Sequence, residues 1–244
     1  MAKNVHRLVA PDRLKETLKE LLVIEPAHTA IVAVDMHRGH LDPEVATEPV
    51  PAEACRRVVA STRVLLELAR ERRMPVIHVV LRYRRHPEPA VERLASPFKR
   101  AVDLAKQRLL GERSTLRDHN VEGSVQTQIM PELGPVDGDM VIDNKKRLSA
   151  FYGTDLEILL RVLKIETLVV VGVNTNTCVL CTAFEAANRD FTTVVVSDCV
   201  TSLYGDDLHA AALDNIARCF GWVLTLDEFR AKVEAAAPAI AARA

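Results

Sequence analysis

The chain has little of what a nucleic-acid-binding or membrane protein needs. Aromatic residues make up 4% of its 244 residues, which leaves few side chains on which bases stack. Lys and Arg total 32 against 33 for Asp and Glu, so there is no excess of positive charge for a polyanion. No apolar run approaches the roughly 18–20 residues of a membrane-spanning helix. These absences argue against nucleic acid and membrane as partners and favour a small molecule.

Cysteine is also scarce. The five cysteines are an odd number scattered along a mid-sized chain, unlike the dense disulfide framework of a small secreted domain. The first residues lack the apolar segment of a secretion signal, so we predict a soluble protein of the reducing cytoplasm. We predict a single domain over residues 1–244, with a helical extension at 1–25 and a frayed Ala-rich tail at 235–244.

Apolar runs typical of strands alternate with helical patterns along the chain. Strands are predicted over residues 29–34, 75–81, 139–143, 168–171, 193–196 and 222–226. Helices are predicted over residues 11–23, 53–73, 155–163, 179–189 and 206–218, with one more at the C-terminal end. This alternation predicts a doubly wound parallel sheet in a three-layer α/β/α fold. Residues 90–138 are long for a connection and are a candidate lid or cover for the functional site.

A cysteine follows the most apolar of the predicted strands. The run Leu168 to Val171 indicates a strand buried on both faces, and Gly172 begins the turn that leaves it. Cys178 then lies where the chain is predicted to enter a helix. The N–H groups and the positive dipole end at a helix N-terminus favour a thiolate, so we predict Cys178 as a nucleophile.

Two further reactive residue types follow other strands. Asp35 ends the first predicted strand, and Lys145 or Lys146 follows the third. Ligands of an open parallel sheet bind beyond the carboxyl ends of its strands, where these side chains and Cys178 would meet. A carboxylate there takes the thiol proton, an ammonium stabilises the thiolate, and the thiolate attacks a carbonyl carbon. On the residues alone, His37 competes evenly with Asp35 as the base.

Three motifs in this order resemble the isochorismatase-like cysteine hydrolases. They are Asp35 closing an apolar strand, the segment Lys-Lys-Arg-Leu-Ser-Ala-Phe-Tyr-Gly-Thr-Asp-Leu from residue 145, and Gly-Val-Asn-Thr-Asn-Thr-Cys-Val from residue 172. The resemblance runs from about residue 29 to 222. It implies a six-stranded parallel sheet in the order 3-2-1-4-5-6. Because the family lysine stands four residues before the serine of Ser-Ala-Phe, Lys145 rather than Lys146 matches it.

The resemblance also implies site residues. The catalytic residues would be Asp35, Lys145 and Cys178. A cis peptide between Val173 and Asn174 is implied, with an oxyanion hole formed by the backbone N–H groups of Asn174 and Cys178. His37 then becomes at most a pocket residue. The side chains expected to contact substrate are His40, Phe151 and Tyr152.

Within this family, residues 120–124 and 215–223 look most like members that cleave ureido or carbamoyl amides. We therefore predict a cysteine amidohydrolase that releases ammonia through a thioester. Biuret is the first predicted substrate, and triuret or ureidoacrylate comes next. The alternatives within the family are amidases of the N-carbamoylsarcosine, maleamate or nicotinamide type. The resemblance further implies a homo-oligomer, either a dimer or a tetramer.

No metal or other cofactor is predicted. Nicotinamidases of the family bind a metal through an Asp-x-His pair and further histidines after the first strand. Here the only such pair in that region, Asp35-Met36-His37, belongs to the catalytic strand end. An alternative from another functional class uses Cys178 and Cys181 as a Cys-x-x-Cys redox or binding pair. We favour Cys181 as buried helix packing, and Cys55, Cys199 and Cys219 as core or surface thiols without chemistry.

Overall fold

Six parallel strands form one sheet in the order β3-β2-β1-β4-β5-β6. The computed structural model describes residues 9–86, 91–110 and 119–236. The strands are β1 (Thr29–Val34), β2 (Val76–Leu81), β3 (Met140–Lys145), β4 (Thr167–Val173), β5 (Thr192–Thr201) and β6 (Trp222–Leu224). Both the predicted strands and their predicted order are confirmed. Strand β5 is longer than predicted, and β3 extends far enough to include Lys145.

The centre of the sheet explains why its strands are so apolar. Every residue of β1, β2 and β4 is buried, as expected for parallel strands covered on both faces. Strands β1 and β4 pair from Thr29 with Thr167 through Val34 with Gly172. Gly172 has a φ of +124°, and a Cβ there would collide with the Val34 carbonyl. This glycine therefore allows the two central strands to end side by side.

Helices flank the sheet. They are α1 (Pro11–Leu21), α2 (Arg38–Leu41), α3 (Ala52–Glu71), α4 (Val91–Leu94), α5 (Pro97–Leu110), α6 (Leu156–Val162), α7 (Leu180–Ala187), α8 (Asp206–Cys219) and α9 (Leu226–Ala236). Helix α3 packs against β5 and α9, whereas α7 packs against β4, β5 and α8. Among the described residues, no helix has both the length and the apolarity needed to cross a membrane.

The N-terminal helix α1 packs against the body of the same chain. Lys15 lies 3.3 Å from Asp214, and Lys19 lies 2.8 Å from Glu228. The Trp222 indole donates a hydrogen bond to the Leu18 carbonyl at 2.8 Å. The helical extension thus covers α8 and β6. At the other end, α9 continues through Ala236, and the rest of the predicted frayed tail, residues 237–244, lies outside the described residues.

The long segment between β2 and β3 crosses the carboxyl ends of the strands. A bridge pairs Tyr83 with Val121, and a second bridge pairs His37 with Ile129. Helices α4 and α5 lie between them in sequence, and residues 87–90 and 111–118 lie outside the described residues. The segment therefore covers the edge of the sheet at which the predicted site residues lie.

A carboxylate at the start of β3 ties that segment to α3. The Asp139 side chain accepts hydrogen bonds from Arg70 at 2.7 Å, the Val136 N–H at 3.0 Å and His78 at 3.1 Å. Burial alone would raise the pKa of Asp139, but these hydrogen bonds and the Arg70 charge lower it below 3.8. Because the folded pKa is depressed, this carboxylate stabilises the fold above about pH 4 and loses that effect as the pH falls.

We expect Asp139→Asn to lower the free energy of unfolding by about 1–3 kcal/mol at pH 7, because it breaks the hydrogen-bonded ion pair with Arg70. Urea denaturation measures the loss, and the gap to wild type should narrow below about pH 4. Asp137→Asn is the matched control, since Asp137 is exposed. An equal loss in both variants would contradict this assignment.

Candidate active site

The structure brings three of the predicted site residues together. The Lys145 ammonium donates to Asp35 Oδ2 at 2.6 Å and to Cys178 Sγ at 3.4 Å. The other oxygen of Asp35 accepts the Leu81 N–H at 2.8 Å. Asp35 and Lys145 are fully buried, and Cys178 is 6% exposed. Lys145 therefore joins a carboxylate and a thiol inside a site from which most water is excluded.

A β-bulge explains how Lys145 reaches across the sheet. Strand β2 separates β3 from β1, so the predicted strand order alone leaves the lysine one strand away from Asp35. The pairing shifts from Val79–Ile142 to Leu81–Lys145, which gives β3 one extra residue. This residue places Lys145 on the same face as Ile142. The long side chain then passes the end of β2 and meets Asp35.

Cys178 lies in a π-helical turn, Thr175–Val179, that precedes α7. The predicted helix therefore begins differently, since α7 itself starts at Leu180. The Asn174 carbonyl accepts the N–H groups of Thr177 at 3.1 Å and Val179 at 3.2 Å. The peptide between Val173 and Asn174 is cis, as the resemblance implies. Strand β4 thus leads into a tight turn that presents the thiol.

The chain after β5 holds this turn through side chains. Asn174 Oδ1 accepts the Leu203 N–H at 2.9 Å, and Asn176 Oδ1 accepts the Ser202 hydroxyl at 2.6 Å. His209, on α8, forms a hydrogen bond with the Thr175 hydroxyl at 2.8 Å. Neither His209 nor Ser202 was assigned a role from the sequence. Their role in holding the turn is visible only from contacts in the folded chain, because their spacing in the sequence does not relate them to the turn.

Burial determines the charge state of the thiol. Desolvation raises the pKa of Cys178 to about 12, even though the Lys145 charge lowers it. Burial thus opposes the thiolate that the helix N-terminus is expected to favour. Burial also disfavours the charged forms of Asp35 and Lys145. Their attraction to each other is stronger, so the pKa of Asp35 is lowered and the pKa of Lys145 is raised. The resting site holds a thiol, a carboxylate and an ammonium.

This charge state predicts how Cys178 reacts with an alkylating agent. Alkylation follows the thiolate fraction, so its rate should rise about tenfold per pH unit from pH 7 to 10 without a plateau. Mass spectrometry of the iodoacetamide-labelled peptide measures this rate. Free cysteine, with a pKa near 8.5, is the control and levels off above about pH 9. A plateau for Cys178 below pH 8 would contradict the raised pKa.

A cavity of about 880 Å³ opens beside Cys178. Of the predicted residues, His40, Tyr152, Asn174 and Cys178 line it. The segment between β2 and β3 adds lining residues that the sequence analysis did not identify: Arg93, Ser96, Phe98, Lys99, Val102 and His119. This segment was a candidate cover for the site, and it does form part of the cavity wall.

Two predictions about side chains near the cavity need correction. Phe151 is not part of its lining but lies in the hydrophobic core, with its ring 6.2 Å from that of Phe191 and the Arg189 guanidinium 4.7 Å from its centre. Cys181 is half-buried and lines the cavity, so it is not buried helix packing. The helical spacing from Cys178 to Cys181 turns both thiols toward the same side.

A group of three histidines lies at the cavity wall, and two of them, His40 and His119, line the cavity. The His37 ring stacks on His40 at 4.9 Å, and His119 meets His40 edge-on at 5.4 Å. Burial, with the neighbouring His40, lowers the pKa of His37 to about 3 and that of His119 well below its usual range. No hydrogen bond in the described part of the structure links His37 to Cys178, so Asp35 is the better placed base. No cluster of three or more His, Cys, Asp or Glu suited to a metal occurs among the described residues.

Known proteins share this sequence pattern and this fold. The isochorismatase domain matches residues 29–228. The ureidoacrylate amidohydrolase RutB of Methylobacterium radiotolerans is 30% identical, over 86% of this chain and 81% of that protein. A cysteine hydrolase from Pseudomonas syringae pv. phaseolicola 1448A has the same fold, with a TM-score of 0.72, 24% identity, and coverage of 88% of this chain and 96% of that one.

A third relative is the N-carbamoylsarcosine amidase of Thermoplasma acidophilum. It superposes with a TM-score of 0.61 at 25% identity, over 82% of this chain and 96% of that one. The domain match covers most of the chain and includes all the strands and the residues that meet at the site. The chain therefore belongs to the isochorismatase family.

Proposed function

We propose that this protein is a cysteine-dependent amidohydrolase that cleaves a C–N bond of a small carbamoyl or ureido compound. The observation that carries the proposal is the Lys145 ammonium, which contacts both the Asp35 carboxylate and the Cys178 sulfur inside a buried site. The thiol faces a cavity large enough for a small amide. Relatives named for amide hydrolysis support the same reaction class.

In the first half of the proposed reaction, Asp35 accepts the Cys178 proton as the sulfur attacks the amide carbonyl carbon. Because burial raises the pKa of Cys178, this proton is proposed to leave as the sulfur attacks. Lys145 stays charged and offsets the negative charge that passes between sulfur and carboxylate. The backbone N–H groups of Asn174 and Cys178 are proposed to stabilise the oxyanion.

In the second half, the protonated Asp35 returns its proton to the leaving nitrogen, and the C–N bond breaks. A primary amide releases ammonia and leaves an acyl group on sulfur as a thioester. Water, deprotonated by Asp35, then attacks the thioester carbonyl, and the thiol is regenerated. The two half-reactions consume one water for each amide that is hydrolysed.

The substrate is proposed from the resemblance and from the relatives. Biuret is the first candidate, followed by triuret and ureidoacrylate, because all carry a terminal carbamoyl amide. N-Carbamoylsarcosine, maleamate and nicotinamide are the alternative amides. Ammonia release from this set of six compounds, with Cys178→Ala as the blank, tests the proposal. Turnover of at least one carbamoyl compound supports it, whereas no turnover despite intact folding contradicts the substrate class.

A thiol redox protein is the alternative to a hydrolase, and one observation supports it. Cys178 and Cys181 both line the cavity, and both are free thiols. A redox pair needs both thiols and cycles with dithiothreitol, whereas a hydrolase needs neither Cys181 nor a reductant for turnover. Ammonia release by Cys181→Ser without dithiothreitol would therefore favour the hydrolase.

Two further properties belong to the proposal. A homo-oligomer, dimer or tetramer, is supported by exposed apolar side chains at the rim of the cavity, namely Phe98, Tyr152 and Phe184. Light scattering at micromolar concentration tests it, and a monomer alone would contradict it. A cytoplasmic location is supported by the five cysteines, all of which are free.

A further inference from the structure

The charges that line the cavity do not balance. Its lining contains the bases Arg93, Lys99 and Arg147 and the acids Glu48 and Glu185. Three of these five have a partner of opposite charge that is not part of the lining. Those three ion pairs are Glu48 with Lys106, Glu185 with Arg189, and Arg93 with Asp103.

The two remaining bases contact only neutral oxygen atoms. Lys99 donates to the Tyr83 hydroxyl at 2.7 Å, and its ammonium lies 5.4 Å from the centre of that ring. Arg147 donates to the backbone carbonyls of Lys146 at 2.9 Å and Glu92 at 3.4 Å. Neither forms an ion pair with a carboxylate in the part of the chain that the structure describes. Two uncompensated positive charges therefore border the cavity.

We infer that Lys99 and Arg147 bind an anionic group of the substrate, a carboxylate carried on the same molecule as the scissile amide. This inference rests on the proposed amidohydrolase function and narrows it to amides of acids. An ammonium and a guanidinium are both partners for a carboxylate, and partial burial strengthens the attraction. Cys178 lines the same cavity as Lys99 and Arg147, so one molecule in the cavity can contact the thiol and the two bases.

Size supports the same assignment. Biuret has no charge and fills a small part of a cavity of about 880 Å³, so it would leave both bases without a partner. A ureido acid places its carbamoyl group on Cys178 and its carboxylate several atoms away. The apolar side chains of Leu148, Leu180 and Phe184, which also line the cavity, suit the carbon atoms between the two groups.

Alkylation of Cys178 tests whether the positive charges of Lys99 and Arg147 act at the thiol, and it requires no substrate turnover. Iodoacetate carries one negative charge and iodoacetamide carries none. The rate with iodoacetate divided by the rate with iodoacetamide therefore reports the positive potential at the thiol. We expect this ratio to fall about three- to tenfold in Lys99→Gln and in Arg147→Gln at low salt. Arg100→Gln is the matched control, because Arg100 follows Lys99 on α5, is exposed and does not line the cavity.

Turnover gives the second readout. Lys99→Gln should raise KM for ureidoacrylate about tenfold or more and leave KM for uncharged biuret within about twofold. If both variants keep the wild-type alkylation ratio and the wild-type KM for ureidoacrylate, the anion site is overturned while the hydrolase proposal stands. If the alkylation ratio falls as expected but no compound releases ammonia, the anion site is supported and the proposed function fails.

Discussion

Replacing Cys178 with alanine is expected to reduce the rate of C–N hydrolysis by about 10⁴-fold or more. The proposed reaction passes through a bond to sulfur, and no other thiol can take that place. Cys181 lines the same cavity, but the Lys145 hydrogen bond goes to Cys178. Without Sγ, the Asp35 carboxylate and the Lys145 ammonium remain but have no nucleophile to activate.

The measurement is ammonia release with the best substrate of the panel, together with a thermal unfolding curve that verifies the fold. Cys219→Ser is the matched control, because Cys219 is exposed and lies outside the cavity lining. It should keep the wild-type rate. A Cys178→Ala variant that retains a tenth of the activity would contradict a thioester mechanism. In wild type, mass spectrometry of quenched reactions should detect an acyl group on the peptide that contains Cys178.

The fold was predictable because its strands carry a strong signal. The runs at residues 29–34 and 168–171 are apolar throughout, which parallel strands require when helices cover both faces. Gly172 was expected to begin the turn, whereas it lies within β4, where the close approach of Val34 excludes a Cβ. These local requirements repeat along the chain, so the sequence alone predicts the number of strands and the positions of Asp35 and Cys178 at their ends.

The site was predictable only in part. A bulge in β3 brings Lys145 to Asp35, and no residue of that strand predicts the bulge from the sequence. The pKa of Cys178 depends on how deeply the turn is buried, because burial raises it more than the nearby Lys145 charge lowers it. Phe151 and Tyr152 are neighbours in sequence, yet Phe151 joins the core and Tyr152 faces the cavity. Such choices follow from tertiary packing rather than from local pattern.

The segment between β2 and β3 was the least predictable part. The Ser96 hydroxyl accepts the Lys99 N–H at 3.4 Å at the start of α5, but this local cap does not say which side of the cavity the helix reaches. Lys99 shows the difficulty. In the sequence it is one of several bases on a helix, whereas in the fold it lies over Tyr83 and borders the cavity.

Replacing both Asp35 and Lys145 should recover stability that either single replacement loses, but it should not recover activity. Asp35→Asn leaves a buried ammonium, and Lys145→Met leaves a buried carboxylate, so each should lower the free energy of unfolding by about 3–5 kcal/mol. The double variant removes both charges, and its asparagine still accepts the Leu81 N–H. We expect it to be at least as stable as either single variant in urea denaturation.

Activity should not recover with stability. Each single variant lacks the base or the cation and the double variant lacks both, so each should lose about 10³-fold or more in kcat. A double variant with restored hydrolysis would show that the pair serves only folding. A double variant whose stability loss equals the sum of the two single losses would show that Asp35 and Lys145 do not interact in the folded chain.

Alkylation of Cys178 separates the base role of Asp35 from its role in positioning. The carboxylate raises the pKa of the thiol and Lys145 lowers it. Asp35→Asn removes the first influence and keeps the second, so iodoacetamide at pH 8 should label Cys178 faster than in wild type. Lys145→Met should slow the labelling for the converse reason. Slower labelling in Lys145→Met at the same pH separates this charge effect from displacement of the sulfur, because a displaced sulfur would lose its burial and react faster in both variants.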